Sequence, residues 1–436
     1  MDTTYLIELR LGRTKWRIKQ VIASIAARFH LHEHIEQHPH VTIFGPLVLN
    51  TDTTEEQLLK ITGTVASRYH PLPFMLDGWE KREGMHGSVI AISVRPSEQL
   101  IALTREVAEA LLPRCSSLNA WDPYPDKKWF HVTIANYLTP SIADTVFCHL
   151  TGNHTLHASR IIRWRYRFHR LFFGSTRKGQ EFSPPLLDET GLRLTIMKNT
   201  EILAEYDFLQ KGWLSHSHDH YGDSWQDTLR AHRREFGFER TSASTPKIND
   251  TFVIADLHLG HANIIRYCSR PFLGSDVAEM DTVLIRNWNF VVGPTSRVYF
   301  IGDLRYGREA LPAHDYLKQL KGDISFVLGN HDDDEMGGEK TRVIDYDGVR
   351  FLLVHDPADA PTGFDGWVIH GHHHNNDLRA YPFINPASRH VNVSAEVIGY
   401  VPISLREICS LIRDLENSGN NHPIRLRYAQ PWEKIC

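Results

Sequence analysis

A near-repeat of His-Val-Thr-Ile is the feature that most constrains the fold of this chain. It stands at residues 40–43, within HPHVTIFGPL, and again at residues 131–134, within FHVTIANYL. Alternate side chains of an extended strand point to the same face, so each copy puts a histidine and a threonine on one face and apolar residues on the other. Similar patterns of strand and amphipathic helix surround both copies. The repeat therefore predicts two lobes related by a pseudo-twofold axis.

If the two lobes meet, His40, Thr42, His131 and Thr133 line a single cleft. Two imidazoles beside one phosphodiester provide a base for the incoming oxygen and an acid for the leaving oxygen, although the pattern does not say which histidine is which. The threonine hydroxyls would hold the phosphoryl oxygens, and this chemistry needs no metal. A single His-x-Thr is more often an ordinary hydrogen-bonded histidine on a strand. Two copies in matching surroundings favour catalysis.

These residues resemble the 2H phosphoesterase superfamily, whose 2′-5′ RNA ligase-like and cyclic phosphodiesterase members carry two His-x-Thr/Ser motifs. The resemblance covers residues 1–213 and implies an α+β domain with two lobes, antiparallel sheets and flanking helices. It also implies acid–base roles for both histidines and phosphate contacts for both threonines. The implied reaction is the opening of a 2′,3′-cyclic phosphate to a 2′-phosphomonoester, and 2′-5′ ligation, in which a 5′-hydroxyl replaces water, stays open.

An arginine-rich stretch, RIIRWRYRFHR, follows the second motif. On a strand, Arg163, Arg165 and Arg167 would share one face, at a spacing that suits the phosphates of a single RNA strand. The alternative is a half-buried strand with a solvated polar side.

The second half of the chain contains short apolar strands that end in Asp, Asn or His. Proteins with layered α/β folds usually have their functional sites at the carboxyl ends of the strands. Mixed carboxylate, amide and imidazole groups suit borderline divalent metals such as Mn²⁺, Fe²⁺ or Zn²⁺. The groups are, in order, Asp256 and His258, Asp303, Asn330 with His331, His355, and His372 with His374.

This ordered series resembles the calcineurin-like metallophosphoesterases, with the pattern DxH, GD, GNH(D/E), H and GHxH. The resemblance implies an α/β domain, a four-layer β-sandwich, at 250–436, with two divalent ions, Mn²⁺ or alternatively Fe²⁺, Zn²⁺ or Ni²⁺. It implies that His331 faces the phosphate without binding metal, and Arg305 is a further candidate for phosphate binding. One implied ligand set is Asp256, His258, Asp303 and His374, and the other is Asp303, Asn330, His355 and His372.

Composition limits the remaining possibilities. A net charge of -4, from 48 basic and 52 acidic residues, argues against a protein that coats nucleic acid by bulk electrostatics. Five scattered cysteines suggest neither a disulfide framework nor a thiolate zinc site. No apolar run is long enough to span a bilayer, so we expect a cytoplasmic protein without a membrane partner, and no protein partner is indicated. The polar segment 214–249 is predicted to be a linker with one helix.

Together the motifs lead to the hypothesis of a bifunctional phosphoesterase acting on RNA ends or small cyclic nucleotides. The first domain would open a cyclic phosphate, and the second would remove the resulting phosphate with metal ions. One alternative is a phosphodiesterase or nuclease acting on cyclic oligonucleotides or other signalling nucleotides. A second alternative is that the N-terminal half binds RNA ends without catalysis.

Overall fold

In a computed structural model the chain forms two compact units, residues 1–217 and 218–436, and each is described by itself. None of the helices among the described residues is long and apolar enough to cross a membrane. The structure describes residues 3–12, 14–36, 38–84, 86–151, 186–214, 221–239, 250–273, 276–307, 310–332, 337–419 and 421–427.

The first unit alternates strands with helices along the chain. Its described helices are α1 (Lys15–Phe29), α2 (Glu55–Ala66), α3 (Glu98–Leu111) and α4 (Pro140–Thr151). Its strands are β1 (Tyr5–Arg10), β2 (His40–Leu49), β3 (Leu72–Gly84), β4 (Gly87–Pro96), β5 (Cys115–Ser117), β6 (His131–Leu138), β7 (Leu186–Gly191), β8 (Arg193–Lys198), β9 (Glu201–Asp207) and β10 (Gly212–Trp213).

These strands form one antiparallel sheet in the order β10-β9-β8-β1-β2-β6-β4-β3-β7, with β5 paired to β2. The two strands that carry His-Val-Thr-Ile, β2 and β6, are neighbours near its centre, and Val41 is the residue opposite Val132. The predicted antiparallel fold is confirmed, and its two lobes join edge to edge. The pairing at this junction satisfies the backbone N–H and C=O groups of two strand edges that would otherwise be exposed.

One face of this sheet is buried beneath helices. Val41, Ile43, Val132 and Ile134 are fully buried and share an apolar core with residues from α1, α2 and α3. The helices are amphipathic, and α2 begins with a capping box in which Thr54 and Gln57 exchange side-chain-to-backbone hydrogen bonds. Apolar packing on this face leaves the His-x-Thr side chains on the other.

A buried carboxylate fixes the segment that leads into β6. Asp122 accepts hydrogen bonds from the Gly45 backbone N–H at 2.7 Å and from the Ser117 hydroxyl at 2.7 Å. It also pairs with the Lys128 ammonium at 3.2 Å, and both side chains are almost completely buried. Burial lowers the pKa of Lys128, although the Asp122 charge opposes that shift. Asp122 therefore ties the approach to His131 directly to the strand that carries His40.

The second unit contains two sheets and five described helices. The helices are α5 (Tyr221–Glu235), α6 (Ala262–Tyr267), α7 (Val277–Val291), α8 (Ala313–Leu317) and α9 (Leu405–Ser418). The strands are β11 (Thr251–Ile254), β12 (Arg297–Ile301), β13 (Asp323–Val327), β14 (Thr341–Tyr346), β15 (Val349–Val354), β16 (Trp367–His370), β17 (Ile384–Asn385), β18 (His390–Asn392) and β19 (Ile403–Ser404).

One sheet has the order β13-β12-β11-β19 and the other β14-β15-β16-β18-β17. The strands β11, β12 and β13 are parallel, as are β15, β16 and β18. Residues from both sheets belong to a single apolar core, which also takes in α7 and α9. The parallel strands therefore bring the loops after their carboxyl ends to a common edge, where the predicted metal ligands lie.

Helix α5 falls in the segment predicted as a linker, and its contacts join it to the second unit. The buried Arg233 guanidinium donates to Glu239 at 3.1 Å, to the Pro271 carbonyl at 2.9 Å and to Glu279 at 2.7 Å. Buried arginines are retained where each donor finds an acceptor, as here.

We expect Asp122→Ala to lower the free energy of unfolding of the first unit by about 3–5 kcal/mol, because it leaves the Lys128 charge buried without a partner. The matched control Ser117→Ala removes one donor to the same carboxylate and should cost about 1 kcal/mol. Denaturant unfolding of the full chain measures both. Equal losses for the two variants would show that the buried charge pair is not the source of the effect.

Candidate functional site

The pairing of β2 with β6 brings the two repeated motifs together. Because the strands are antiparallel with Val41 opposite Val132, His40 lies opposite Thr133 and Thr42 lies opposite His131. The valines are buried on the helix-covered face, so these four polar side chains share the other face. The structure thus brings together all four residues predicted for the first site.

A backbone carbonyl oxygen orients each of the two histidine rings. The Nδ1 of His40 lies 2.7 Å from the carbonyl oxygen of His38, and the Nδ1 of His131 lies 2.9 Å from that of Trp129. A carbonyl oxygen only accepts, so Nδ1 carries the proton in both rings. Each Nε2 is left to accept or donate a proton in catalysis. Motif reasoning did not predict these contacts, because they involve backbone atoms two residues before each histidine.

The surroundings of the two rings differ in charge. Glu8 is buried on β1 directly opposite Thr42, and its carboxylate lies 3.5 Å from Nδ1 of His40. His131 instead stacks on Trp129, with ring centroids 3.7 Å apart. Burial lowers the pKa of His131 to about 4, and the charges of His40 and Lys128 add to the shift. His131 is therefore neutral at neutral pH.

Trp129 is itself fixed by contacts with Arg82 and Glu80. The Arg82 guanidinium lies 4.1 Å from the ring centroid of Trp129, and Glu80 accepts a hydrogen bond from the indole N–H at 2.9 Å. Glu80 also accepts from Arg82 at 2.7 Å. This pair repeats the Glu-x-Arg arrangement of Glu8 and Arg10, a second duplicated motif visible in the sequence but missed by motif reasoning.

In the second unit, the first implied ligand set comes together at the ends of strands. Asp256, His258 and His374 each offer one atom within a group whose atoms all lie within 4.8 Å of one another. The Nε2 of His258 lies 3.4 Å from Asp303 Oδ2. His258 is buried, and neither of its ring nitrogens has a hydrogen-bond partner among the described residues, an arrangement that is costly unless a ligand completes it.

The second implied set converges beside the first. The Asn330 amide oxygen lies 3.1 Å from Nε2 of His355 and 3.2 Å from Nδ1 of His372. The carboxylate of Asp303 lies 3.5 Å from Nε2 of His355, and the carbonyl of Ile301 fixes Nδ1 of that ring at 2.9 Å. Because the same Oδ2 atom of Asp303 also approaches His258, this carboxylate stands between the two sets.

Charge differs between these rings as well. Burial lowers the pKa of His258 well below its usual value. Burial also opposes protonation of His355, but the carboxylates of Asp303 and Asp256 prevail and raise its pKa to about 9. Carboxylates thus favour the charged form of His355, whereas neighbouring positive groups disfavour that of His258. The donor set, the short separations and the unpartnered His258 nitrogens fit divalent metal ions.

The backbone of this site is held in conformations that most residues avoid. Left-handed φ values between 48° and 69° occur at five of the seven implied ligands, a cluster typical of functional sites. Two glycines make the approach possible: a Cβ at Gly302 would collide with His355, and one at Gly329 would collide with Asp303. The five ligands are Asp256, His258, Asp303, His372 and His374.

A buried ion pair between Glu396 and Arg270, of which the glutamate lies outside the motifs, orients His374. Glu396 lies 3.1 Å from Nδ1 of His374 and 2.6 Å from the Arg270 guanidinium, and all three side chains are buried. Arg270 also donates to the backbone oxygens of Leu257 and Asp256, each at 2.7 Å. Glu396 and His374 also form a possible ligand group with Cys268, but Arg270 already compensates the glutamate charge. This pair therefore supports His374, leaving its Nε2 for the ligand set.

Asp332 fixes the backbone around Asp303. Its carboxylate accepts from the backbone N–H groups of Asp303 at 2.8 Å, Leu304 at 3.0 Å and Gly329 at 2.9 Å. These bonds join the loops after β12 and β13. The fourth residue of the GNHD block is therefore structural, a role the motif alone did not reveal.

His331 lies at the exposed side of the cluster. Its ring centroid is 4.3 Å from that of Tyr306 and 5.7 Å from that of His258, and Asp303 accepts from its backbone N–H at 3.0 Å. Arg305 is on the same loop as Tyr306, and its phosphate role stays a prediction. The arginines predicted as an RNA track, Arg163, Arg165 and Arg167, lie outside the described residues.

Comparison with known proteins identifies the first unit. Residues 14–180 match the family model of the 2′-5′ RNA ligase superfamily. The N-terminal unit belongs to this superfamily, the 2H phosphoesterases. Separately, a stretch of 163 residues of the chain is 52% identical to an uncharacterised protein of Methanocaldococcus jannaschii, a match that covers 37% of this chain and 90% of that protein and is not assigned to either unit.

Two further similarities are partial. The gene 66 protein of Mycobacterium phage L5 is 31% identical over 87 residues, which are 20% of this chain and 41% of that protein. The crystal structure of Escherichia coli LigT complexed with 3′-AMP shares 11% identity and covers 48% of this chain and 98% of that chain, with a TM-score of 0.26.

For the 2H unit, we predict that Trp129→Leu moves the acidic limb of any cyclic-phosphate opening to higher pH. Wild-type activity should fall only as the pH approaches about 4, where His131 becomes protonated. Without the stacked indole, water reaches the ring and its pKa returns toward the ordinary histidine value. Rates measured against pH in EDTA test this, with the exposed Trp121→Leu as control. Identical pH profiles for the wild type and Trp129→Leu would contradict it.

For the second unit, we predict that Glu396→Gln weakens Mn²⁺ binding about 10–100-fold, because His374 loses the carboxylate that fixes its ring. Calorimetric titration of the metal-free protein with Mn²⁺ measures this without reference to activity. The control Glu407→Gln makes the same change at a half-exposed glutamate paired with Arg427. Near-UV circular dichroism verifies folding, and wild-type affinity in a folded Glu396→Gln protein would refute the orienting role.

Proposed function

We propose that the chain is a bifunctional phosphoesterase that processes RNA ends carrying a 2′,3′-cyclic phosphate. The N-terminal unit would open the ring to a phosphomonoester without metal, and the C-terminal unit would remove that phosphate with divalent metal ions. The observation that carries the first step is the pair of histidines on one sheet face, each with Nδ1 committed to a carbonyl and Nε2 left for proton transfer. A protein that only binds RNA ends needs no such pair.

We assign a role to each ring from its surroundings. Neutral His131 would accept a proton at Nε2 from the attacking water as the water oxygen bonds to phosphorus. His40, which lies beside the Glu8 carboxylate, would donate its Nε2 proton to the ribose 3′-oxygen as the phosphorus–oxygen bond breaks. The product is a 2′-phosphate. Thr42 and Thr133 stand opposite the histidines and would hold the non-bridging oxygens.

The second step would use the strand-end cluster as a calcineurin-like metal centre. Asp256, His258, Asp303 and His374 would hold one ion, and Asp303, Asn330, His355 and His372 the other, with Mn²⁺ the favoured metal. Bound ions would supply Lewis-acid stabilisation of the phosphoryl oxygens and of the attacking water. His331 is exposed beside this cluster and would give a proton to the leaving ribose oxygen.

The two reactions fit each other chemically. Ring opening creates a terminal phosphomonoester, and a metal-dependent phosphatase consumes one. A single polypeptide that carries both keeps the intermediate at a raised effective concentration near the second site. Neither reaction changes the internal diesters of the RNA, so the net result is a strand that ends in a 2′,3′-diol.

An RNA pentanucleotide with a 2′,3′-cyclic end, incubated with the purified full chain, tests the proposal. In EDTA we expect the 2′-phosphate to accumulate, and in Mn²⁺ we expect the diol. His40→Ala and His131→Ala should each slow ring opening by about 10²–10⁴-fold. Asp303→Asn should leave ring opening intact but stop the reaction at the monoester, because it removes the carboxylate shared by both ligand sets.

Mass spectrometry of the end groups separates these outcomes. An untouched cyclic end under both conditions would contradict the first step. Accumulation of the 2′-phosphate in Mn²⁺ would contradict the second. Cleavage of internal diesters without loss of the terminal phosphate would instead favour the cyclic-oligonucleotide alternative.

A further inference from the structure

A cluster of basic groups borders His40 on the sheet. Arg10 is the residue directly opposite His40 in the pairing of β1 with β2, so the two side chains share a face. Lys15 and Lys19 lie one turn apart on α1, and His38 comes just before β2. The Leu11 backbone N–H donates to the Pro39 carbonyl at 3.5 Å, which ties the approach to α1 to the approach to β2.

These groups repel one another. Burial lowers the pKa of Lys15, and the charges of Arg10 and Lys19 lower it further, while the carboxylates of Glu205 and Glu8 oppose the shift. Burial likewise lowers the pKa of His38, and Arg10, Lys19 and Lys15 add to that shift, which Glu36 opposes. The charges of the four groups therefore interact, although the groups belong to three separate segments of the chain.

The acidic groups in the neighbourhood already have partners, and two of those partners belong to the cluster itself. Glu8 accepts a hydrogen bond from Arg10 at 2.8 Å, and Glu36 accepts from the backbone N–H of His38 at 3.0 Å. The buried Glu205 pairs with Arg193 at 3.2 Å. Within the described part of the chain, neither Lys15 nor Lys19 forms an ion pair.

The position of the lysines on the helix adds to the cost. Lys15 is the first residue of α1, and no acidic residue is present in the first turn. A positive charge there is opposed by the helix macrodipole, and like charges four residues apart destabilise a helix. Nothing in the packing of α1 requires these charges, since the core-facing residues of the helix are Ile18, Ile22 and Ile25. An anion bound at this point would relieve each of these repulsions.

We propose that Arg10, Lys15, Lys19 and His38 form a binding site for an internucleotide phosphate of an RNA strand whose cyclic end occupies the histidine pair. This inference rests on the proposed function and narrows it, because it makes an RNA oligonucleotide the substrate rather than a cyclic mononucleotide. The length requirement follows from the site: a mononucleotide has no second phosphate with which to reach the lysines.

Kinetics on two substrates tests the site. Initial rates are measured in EDTA for an RNA pentanucleotide with a 2′,3′-cyclic end and for uridine 2′,3′-cyclic phosphate, between about 50 and about 200 mM salt. For the variant K15A/K19A, we expect the ratio of kcat/KM for the pentanucleotide to kcat/KM for the mononucleotide to fall about tenfold or more. The salt dependence of the pentanucleotide reaction should flatten by about 0.7 in log–log slope for each phosphate that the variant no longer neutralises.

Controls keep the outcome clear. Lys60→Ala removes one charge from exposed α2 and should leave both the ratio and the slope unchanged. Lys19→Glu reverses an exposed charge without disturbing half-buried Lys15, so it should lower the same ratio even if K15A/K19A folds poorly. An unchanged ratio in folded K15A/K19A and Lys19→Glu would overturn the site, as would an equal loss on both substrates.

Failure of the proposed function is distinguishable from failure of the site. If the wild type opens neither substrate, the proposed reaction is wrong. Fluorescence anisotropy with a labelled RNA pentanucleotide ending in a 2′-phosphate then tests the site directly. Weaker binding by Lys19→Glu than by Lys60→Ala would support it, and equal binding would overturn it.

Discussion

The antiparallel contact between β2 and β6 is the interaction on which the first unit depends. It buries Val41 against Val132 and, by the alternation of strand side chains, places both histidines and both threonines on the opposite face. A shift of one residue in this register would send the polar side chains into the core and the valines to the surface, so the apolar core enforces the catalytic alignment. The stability of the first unit and the alignment of its four polar side chains therefore depend on the same strand register. For this reason two copies of a short motif are enough to define one site.

Histidine orientation is the common theme of both units. In each case an oxygen acceptor fixes one ring nitrogen and frees the other: a carbonyl for His40, His131 and His355, and a carboxylate for His374. What differs is the environment of the second nitrogen. In the first unit it lies on a sheet face that the helices leave uncovered, which suits proton transfer, whereas in the second it converges with carboxylates that suit a cation. In the proposed function the same side chain would serve acid–base chemistry or metal binding according to its neighbours.

Sequence reasoning predicted a large part of this arrangement. The His-x-Thr strands and the strand-end Asp, Asn and His groups follow from short-range periodicity and from the rule that parallel strands present their carboxyl ends together. Sequence could not predict which strand edges meet, because β2 and β6 are brought together by long-range pairing. It missed Glu396, which contacts His374 from a distant segment that carries no motif. It also missed Trp129, which stacks on His131 and accepts a hydrogen bond from that ring through its backbone oxygen. Such contacts depend on tertiary structure and leave no local pattern.

The net charge of -4 argues against bulk attraction to nucleic acid, and a local basic site remains compatible with it. Electrostatic attraction in physiological salt is felt only over roughly 8–10 Å, so the distribution of charge near the reacting phosphate matters more than the total. Arg10 lies beside His40 and pairs with Glu8, Lys15 and Lys19 lie on the first turns of α1, and the nearby Glu205 pairs with Arg193. Under the proposed function, an acidic chain with such a site would hold an RNA end at one place and leave the rest of the strand free to dissociate.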